Sequence, residues 1–386
     1  MTKEKSINYI RTILLNYFKN KKDFFLAKPT GLANPNIPVA YNPSAGFLEI
    51  KDYVHTNENL PTKKFYVNEK CFRTVDTNLV GISNRHLSFF EMFAFFIAGN
   101  FKEINCETVE DELIRITTEI LLKVFKLKPE KIVVTLFGGG SVVNIRNIPS
   151  EENIIRLWVK YGIPDKNIIL TSGLRNFVAN YQWGYAGTSY EIFYQTESGL
   201  IEIGSTNKYK FKVKEITKKG KVIYNLSPSK NFAYGTGFGI ERLSLVLNAK
   251  KEIFEIPELE NGLKYLSTFI SEDLAKLSEL DQEHFKQILD GVRAITFIMS
   301  EGILPSNKDS RSKILKDLIK NVLEEINYLG LYNECFEIIK VTMKLIEEQY
   351  KSQYNLKINS SLKFLEEYIK NVDIKKKYAH LLQVGR

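Results

Sequence analysis

The sequence predicts an α+β chain: an antiparallel β-sheet flanked by helices over residues 1–250, then an all-α helical domain over 251–386. Three observations carry this reading. Residues 234–242 read YGTGFGIER, with Gly235, Gly237 and Gly239 on one side of a strand and Phe238 and Ile240 on the other. Residues 208–214 alternate lysine with Tyr209, Phe211 and Val213, turn at TKKG and return as KVIYNL, the pattern of a β-hairpin. From about residue 255 the apolar positions recur every three or four residues. They do so in LKYLSTFISEDLAKL, HFKQILDGVRAITFIMSEG, SKILKDLIKNVLEEINYLG, CFEIIKVTMKLIEEQY and SLKFLEEYIKNV, punctuated by Gly291, Gly302 and Gly330, as in a helical bundle.

The remaining elements follow in order. INYIRTILLNYFKN is an amphipathic helix, and KKFYVNEKCFR is a strand ending at Arg73. A polar loop leads to RHLSFFEM, which opens an apolar strand or helix, and DELIRITTEILLKVFKLKP (111–129) is an apolar helix. IVVTLF (132–137) is a buried strand running into Gly138-Gly139-Gly140-Ser141. That glycine run reads as a turn, because the GK[ST] ending of a phosphate loop is missing. Three glycines on one face of a strand weaken it unless a flat ligand lies on the backbone, and Arg242 just beyond would stack on a base or meet a phosphate. The other reading of YGTGFGIER is a bulged strand preceding a helix.

Composition is that of a large cytoplasmic enzyme: 386 residues, 44% hydrophobic and 26% charged. Lys3, Glu4 and Lys5 lead directly into the first helix with no signal peptide. The most apolar run, FFEMFAFFIAGNF (89–101), is too short to span a bilayer and holds Glu91, so no membrane partner is expected. Cys71, Cys106 and Cys335 have no paired spacing and read as reduced core residues. Four histidines are too scattered for a metal site, and His86 reads as packed or hydrogen-bonded. Charge is uneven. Residues 1–250 hold 34 Lys+Arg against 23 Asp+Glu, and residues 251–386 hold 20 against 22. The lysine hairpin, over 208–221, is expected to show one wet cationic face. That face would either contact RNA phosphate or another acidic partner, or protect an edge hairpin from aggregation.

Several motifs in sequence resemble the class II aminoacyl-tRNA synthetases, specifically the alanyl-tRNA synthetases. That family carries CxRxxG…VGxxxRHHTFFEM, GxxGPCTEIFYD, EIWN and DTGMGLERxxxVLQ in this order. Here they read CFRTVD…VGISNRHLSFFEM, GYAGTSYEIFY, EIGS and GTGFGIERLSLVLN. NPNIPVAYNPSAGFLEIKDYV (34–54) resembles the first conserved region, and GVRAITFIMSEGILPSN (291–307) resembles DHIRxCxFLIADGVxPSN. The resemblance implies a class II catalytic sheet, an ATP-binding domain at 1–250 and a tRNA-recognition-like domain at 251–386. It implies an AMP-forming ligase using ATP and Mg²⁺. Arg73 would hold the α-phosphate and the attacking carboxylate, and Arg242 would cover the adenine and the γ-phosphate. Phe90 would stack on the other face of the adenine, with Met92 at its edge. Asp76, Arg85, Gly237 and Gly239 would complete the nucleotide site, although the loop bearing Asp76 is four residues shorter than in the family. Glu202 and Ser205, spaced ExxS, would hold Mg²⁺.

The acid pocket departs from the family. The aspartate of DTGMGLER is Gly235, the asparagine and tryptophan of EIWN are Ser205 and Gly204, and the tryptophan of the NFW segment is Val178. Tyr181, Gln182 or Trp183 are candidates to fill the space. Without an anionic partner, a buried ammonium would lose a charge-assisted hydrogen bond worth ~1.5–3 kcal/mol. The expected substrate is a small carboxylic or amino acid, with a larger or non-α-amino acid preferred over alanine. After PSN the family's basic RGYVLRRIIRRAVRHG is here KDSRSKILKDLIKNVLEEINYLG, with Asp317, Glu324 and Glu325 among the changes. Asn307 aligns with the family's acceptor-stem asparagine, and the chain ends before the family's editing domain. The expected acceptor is a carrier protein, a small-molecule amine or tRNA. The alternatives are a minimal alanyl-tRNA synthetase and a non-catalytic RNA-binding or regulatory paralogue.

Overall fold

A computed structural model describes residues 4–172, 174–218, 221–270 and 273–371. The chain divides into two compact units, one formed by residues up to Cys71 together with Phe90–Glu252, the other by Phe72–Phe89 together with residues from Ile253 onward. Residues 72–89, which carry Arg73, Asp76 and Arg85, thus cluster with the helical part of the chain.

The strands are β1 (Phe25–Leu26), β2 (Lys63–Phe72), β3 (Phe89–Asn100), β4 (Ile132–Phe137), β5 (Gly140–Val142), β6 (Ile145–Ile148), β7 (Ile168–Thr171), β8 (Phe177–Asn180), β9 (Tyr185–Thr196), β10 (Gly199–Lys218) and β11 (Lys221–Gly239). A nine-stranded sheet runs β1-β2-β3-β11-β10-β9-β4-β7, with β8 beside β9, and β5 and β6 pair separately. Its centre, from β3 through β11, β10 and β9 to β4, is antiparallel as expected. The edge pairs β1–β2 and β4–β7 are parallel. The apolar run at 89–100 is the strand β3, deep in the sheet. Only half of the Gly138–Ser141 run is a connection as expected: Gly138, whose N–H donates to the Thr171 carbonyl at 3.0 Å, and Gly139, at φ 89°, link β4 to β5, whereas Gly140 and Ser141 already belong to β5.

Register fixes the two faces of the sheet, because directly opposed residues of neighbouring strands share a face. Gly237 pairs with Ala94 and with Ser205, and Ser205 pairs with Glu191. Gly235 pairs with Phe96 and with Asn207, and Asn207 pairs with Ser189. These residues form the front face, covered in part by α2 (Phe47–His55), whose Phe47, Ile50, Tyr53 and Val54 join Phe65, Phe96, Trp183, Tyr185 and Tyr209 in one core cluster. Phe93, Phe95, Thr236 and Phe238 point to the back. There α1 (Ile7–Lys19) inserts Phe18 against Phe95 and Phe93 at ring distances of 4.9 and 5.4 Å. The back is also met by α3 (Cys106–Thr118), through a hydroxyl chain Thr117–Thr236–Thr206 at 3.0 and 2.8 Å. A buried pair locks α1 to β3: Arg11 donates to both Glu91 oxygens at 2.7 and 2.5 Å, while Asn68 donates to Oε2 at 2.8 Å. The helices α4 (Ile155–Lys160) and α5 (Ile240–Leu247) complete the unit.

The lysine hairpin differs from its expected wet face. A bulge between Tyr209 and Phe211 shifts the register, so Lys208 and Lys212 lie on opposite faces. Lys208 is 3% exposed on the back, donating to Glu151 at 2.6 Å and paired with Glu110 of α3. On the front, Lys212 donates to the carbonyls of His55 and Thr56, both at 2.9 Å, where the end of α2 offers unsatisfied acceptors. Burial and then Lys208 hold the Lys210 ammonium below the usual lysine range.

The second unit holds α6 (Pro257–Leu266), α7 (Glu279–Ser300), α8 (Ser310–Tyr328), α9 (Cys335–Tyr350) and α10 (Asn359–Asn371). The expected helix at 263–277 stops at Leu266, because the Ser267 and Thr268 hydroxyls donate back to the Lys264 and Tyr265 carbonyls at 2.7 Å each and only short 3-10 turns follow. Ser278 caps α7 through the Asp281 N–H, and Gly302 at φ 84° ends it. No described helix is long and apolar enough to cross a membrane.

Candidate active site

The glycines of β11 leave the front face open where a ligand would lie. A Cβ on Gly237 would have Met92 Cε at 3.3 Å, Ala94 Cβ at 3.8 Å and the Phe93 carbonyl at 3.9 Å as its nearest neighbours, and one on Gly239 would have the Arg242 side chain, at 3.7 Å and beyond. Met92 pairs directly with Gly239 and receives a hydrogen bond from the Ser44 hydroxyl at 3.4 Å. Phe90, two residues before Met92 on β3, falls on the same face and is half-buried. Met92, Phe90, Gly237, Gly239 and Arg242 therefore come together around one open stretch of backbone.

Arg242 opens α5 and turns back over the sheet, donating to Glu202 Oε2 at 3.0 Å and to the Glu202 carbonyl at 3.1 Å. Its neighbour Glu241 points the other way, and its carboxylate accepts the Glu91 N–H at 3.0 and 3.2 Å. In the Glu-Arg dipeptide the glutamate thus anchors the helix to β3 and the arginine faces the open backbone.

Glu202 and Ser205 lie three apart on a strand, which in a regular ladder would put them on opposite faces. A bulge between Glu202 and Gly204 corrects the parity, pairing Glu202 with Phe193 and Ser205 with Glu191. Both donors therefore face front. The pairing also brings in Glu191, a residue the sequence reading used only as part of a fingerprint. Burial, then the nearby Glu202 charge, push the Glu191 carboxyl above the usual range. Two adjacent carboxylates and a hydroxyl are hard oxygen donors whose mutual repulsion a divalent cation would relieve, so these residues fit Mg²⁺.

The proposed acid-pocket residues are not all brought together. Ser205 and Gly235 are on the front face, but a Cβ on Gly204 would meet the Gly237 carbonyl at 2.6 Å and Phe238 Cδ1 at 2.8 Å, which places Gly204 toward the back. Val178 packs on the edge of the front core cluster. Tyr181 is 41% exposed and stacks on Tyr224 of the hairpin at 4.1 Å, while Gln182 is exposed. The space above Gly235 is filled by Phe96, whose Cδ1 would stand 2.0 Å from an added Cβ.

Arg73, Asp76 and Arg85 belong to the second unit and are exposed on its 73–88 loop. Asp76 sits at φ 62°, a left-handed position that aspartate tolerates. The loop is pinned at its base: the Arg73 N–H donates to the Ser88 carbonyl at 3.0 Å, and Ser88 donates from N and Oγ to Asp290 Oδ2 at 3.0 and 2.5 Å. Arg293, one turn along α7, donates to the Phe89 carbonyl at 2.8 Å and lies over the Phe89 ring. Burial raises the Asp290 carboxyl above the usual range, opposed by the hydrogen bonds from Ser88. His86 is hydrogen-bonded to the Ser83 hydroxyl at 2.6 Å. Among the described residues no group of three or more His, Cys, Asp or Glu is arranged to hold a metal.

Comparisons with known proteins agree with this architecture. The family model described as tRNA synthetases class II (A) matches residues 9–386. The alanine–tRNA ligase of Malacoplasma penetrans is 27% identical over 96% of this chain and 42% of its own length. Those of Prochlorococcus marinus and Orientia tsutsugamushi are each 26% identical, over 90% and 96% of this chain and 38% and 43% of theirs. The chain thus spans about two fifths of the length of these relatives. A solved pyrrolysyl-tRNA synthetase from Desulfitobacterium hafniense overlaps 65% of this chain and 72% of its own at 11% identity, with a TM-score of 0.34, too low to bear on the assignment. With the match extending over nearly the whole chain, and its motifs falling on the glycine strand, the ExxS bulge and the arginine of α5, this protein belongs to the alanyl type of the class II tRNA synthetases.

Proposed function

We propose that this chain joins a carboxylic acid to ATP, releasing pyrophosphate and forming an acyl-adenylate, and then passes the acyl group to an acceptor. The observation that carries the reading is the front face at Gly237–Arg242. Backbone without side chains, a thioether and an arginine surround an open strip beside two carboxylates and a hydroxyl. Such an arrangement suits a planar base and a bent triphosphate. Arg242 would exchange its Glu202 partner for phosphate, and Glu202, Ser205 and Glu191 would hold Mg²⁺. Bound there, Mg²⁺ would neutralise phosphate charge and favour attack at the α-phosphorus. Arg73 on the second unit is the proposed partner of the α-phosphate and the acid. No general base is required, because a carboxylate is already ionised at pH 7.

Two acceptors divide the reading. The relatives are named alanine–tRNA ligases, which supports the 3′ end of a tRNA. The helical half carries no net positive charge, its α8 bears Asp317, Glu324 and Glu325, and Glu325 is paired with His284. Weak counterion release from such a surface supports a carrier-protein thiol or a small-molecule amine instead. The test is ATP–pyrophosphate exchange over a panel of amino and other carboxylic acids, followed by transfer of the labelled acyl group to total tRNA, a phosphopantetheinyl carrier protein or free amines. Arg242→Ala should abolish exchange while leaving the fold intact. Exchange retained in a folded Arg242→Ala protein would refute the site.

A further inference from the structure

On the front face one aromatic ring fills the space beside Gly235. Phe96 is 4% exposed and stacks on Phe65 at 5.1 Å and 23°. It lies between two residues that have no side chain: a Cβ on Gly235 would fall 2.0 Å from Cδ1, and one on Gly46 would fall 2.4 Å from Cε2. The Phe95 carbonyl, 2.6 Å from the same Gly235 Cβ, closes the remaining space. Position 235 therefore presents hydrocarbon, and no carboxylate can be placed there while Phe96 keeps this position.

The polar groups nearest along the face are neutral. Asn207 is opposite Gly235, Ser205 opposite Gly237, and Ser189 opposite Asn207. Asn207 is half-buried, and its amide makes no hydrogen bond to any described residue. The carboxylates on or near this face include Glu69, Glu49, Glu191 and Glu202. Glu69 is consumed by the N–H groups of Thr30 and Gly46 and the amide of Asn42. Burial pushes the Glu49 carboxyl up. Glu191 and Glu202 lie beyond Ser205, at the cation end of the strip.

Building on the adenylation reading, we infer that the acid carries a neutral hydrogen-bonding α-substituent, a hydroxyl or an amide, in place of an ammonium, and that Asn207 reads it while Phe96 excludes the counter-charge an ammonium needs. An ammonium set over Phe96 would give up its water for a ring and two neutral acceptors. A hydroxyl there would donate to and accept from one amide.

The test is exchange by the unmodified protein with matched pairs of 2-hydroxy and 2-amino acids, from glycolate and glycine through L-lactate and L-alanine to phenyllactate and phenylalanine, with the unsubstituted acids alongside. The best pair should favour the hydroxy acid by at least tenfold in kcat/KM. Asn207→Leu should erase its advantage over the unsubstituted acid mainly through KM. An amino acid equal to or better than its hydroxy partner would overturn the inference and leave adenylation standing. No exchange with any acid would overturn it too. Fluorescent ATP-analogue binding would then separate a wrong acid class, with nucleotide still bound, from a failed adenylation reading, with none bound.

Discussion

Lys208→Ala tests the arrangement of the back face most directly. The Lys208 ammonium sits between Glu110 and Glu151, whose side chains are 7% and 8% exposed. Removing it leaves two carboxylates around a single vacated site, with Thr188 and the more distant Lys210 as the remaining polar company of Glu151. Breaking a buried ion pair from one side costs about 3–5 kcal/mol. An alternating, solvated lysine would cost roughly 0–1 kcal/mol. The two readings therefore differ by several-fold in the measured loss. The pH dependence adds a sign. The Glu110 carboxyl is already raised, by burial first and with the Lys208 charge opposing it, whereas Glu151 is lowered because Lys208, Lys210 and its hydrogen bonds outweigh burial. Without Lys208 the shared site takes up a proton that the unfolded chain has lost above its ordinary value near 4.5. The variant's stability should therefore fall as pH rises through the raised native value, and its deficit against the parent should be larger at pH 8 than at pH 5. Both tryptophans, Trp158 and Trp183, lie in the first unit and are buried, so their fluorescence in urea reports its unfolding. A loss below 1 kcal/mol that does not change with pH would refute the buried cluster.

Three further outcomes are expected. Glu202→Gln should raise the Mg²⁺ concentration needed for half-maximal pyrophosphate exchange while leaving the urea midpoint nearly unchanged, because Glu202 is 39% exposed; an unaltered Mg²⁺ requirement would make it a strand residue only. Asp290→Asn should flatten the pH dependence of stability in the acid range: the native carboxyl is raised, so the parent loses stability as pH climbs from 3.8 through the native value, and the amide has no such transition. The same change sets an amide NH₂ against the Ser88 donors, so amide hydrogen exchange over 73–88 should quicken; unchanged protection there would show that Asp290 does not pin the loop. Gly235→Ala should cost about 1–3 kcal/mol by overpacking against Phe96 and the Phe95 carbonyl, and combining it with Phe96→Ala should give less than the sum of the two losses. Simple additivity would mean that the ring does not occupy that space.

Much of the fold could be read from residue order because its periods are strict. Gly235, Gly237 and Gly239 keep period two through β11, and four of the five helical segments read in the second half appear as α7 to α10 with near-matching spans. What the sequence hid has a common physical cause, the interruption of strand parity. Alternation assigns Lys208, Lys210 and Lys212 to one face, and only the bulge after Tyr209 separates them. Polar residues at every second position look the same whether they meet water or carboxylates, and Glu110 and Glu151 are too far away in sequence to announce themselves.

The candidate site depends on the same device used the other way. Glu202 and Ser205, the proposed cation ligands, share a face only because one extra residue stands between them and Gly204 turns to the back. That bulge is set by pairing with β9, so the third proposed ligand, Glu191, becomes visible only with the register. The acid pocket shows the reverse case. Substitutions at 178, 204 and 235 read together as one enlarged cavity, but the fold sends Gly204 to the other face and fills the space over Gly235 with Phe96. A glycine in place of a charged residue removes that charge from the site. Whether it also creates room depends on the ring across the ladder, and here the ring has taken the room.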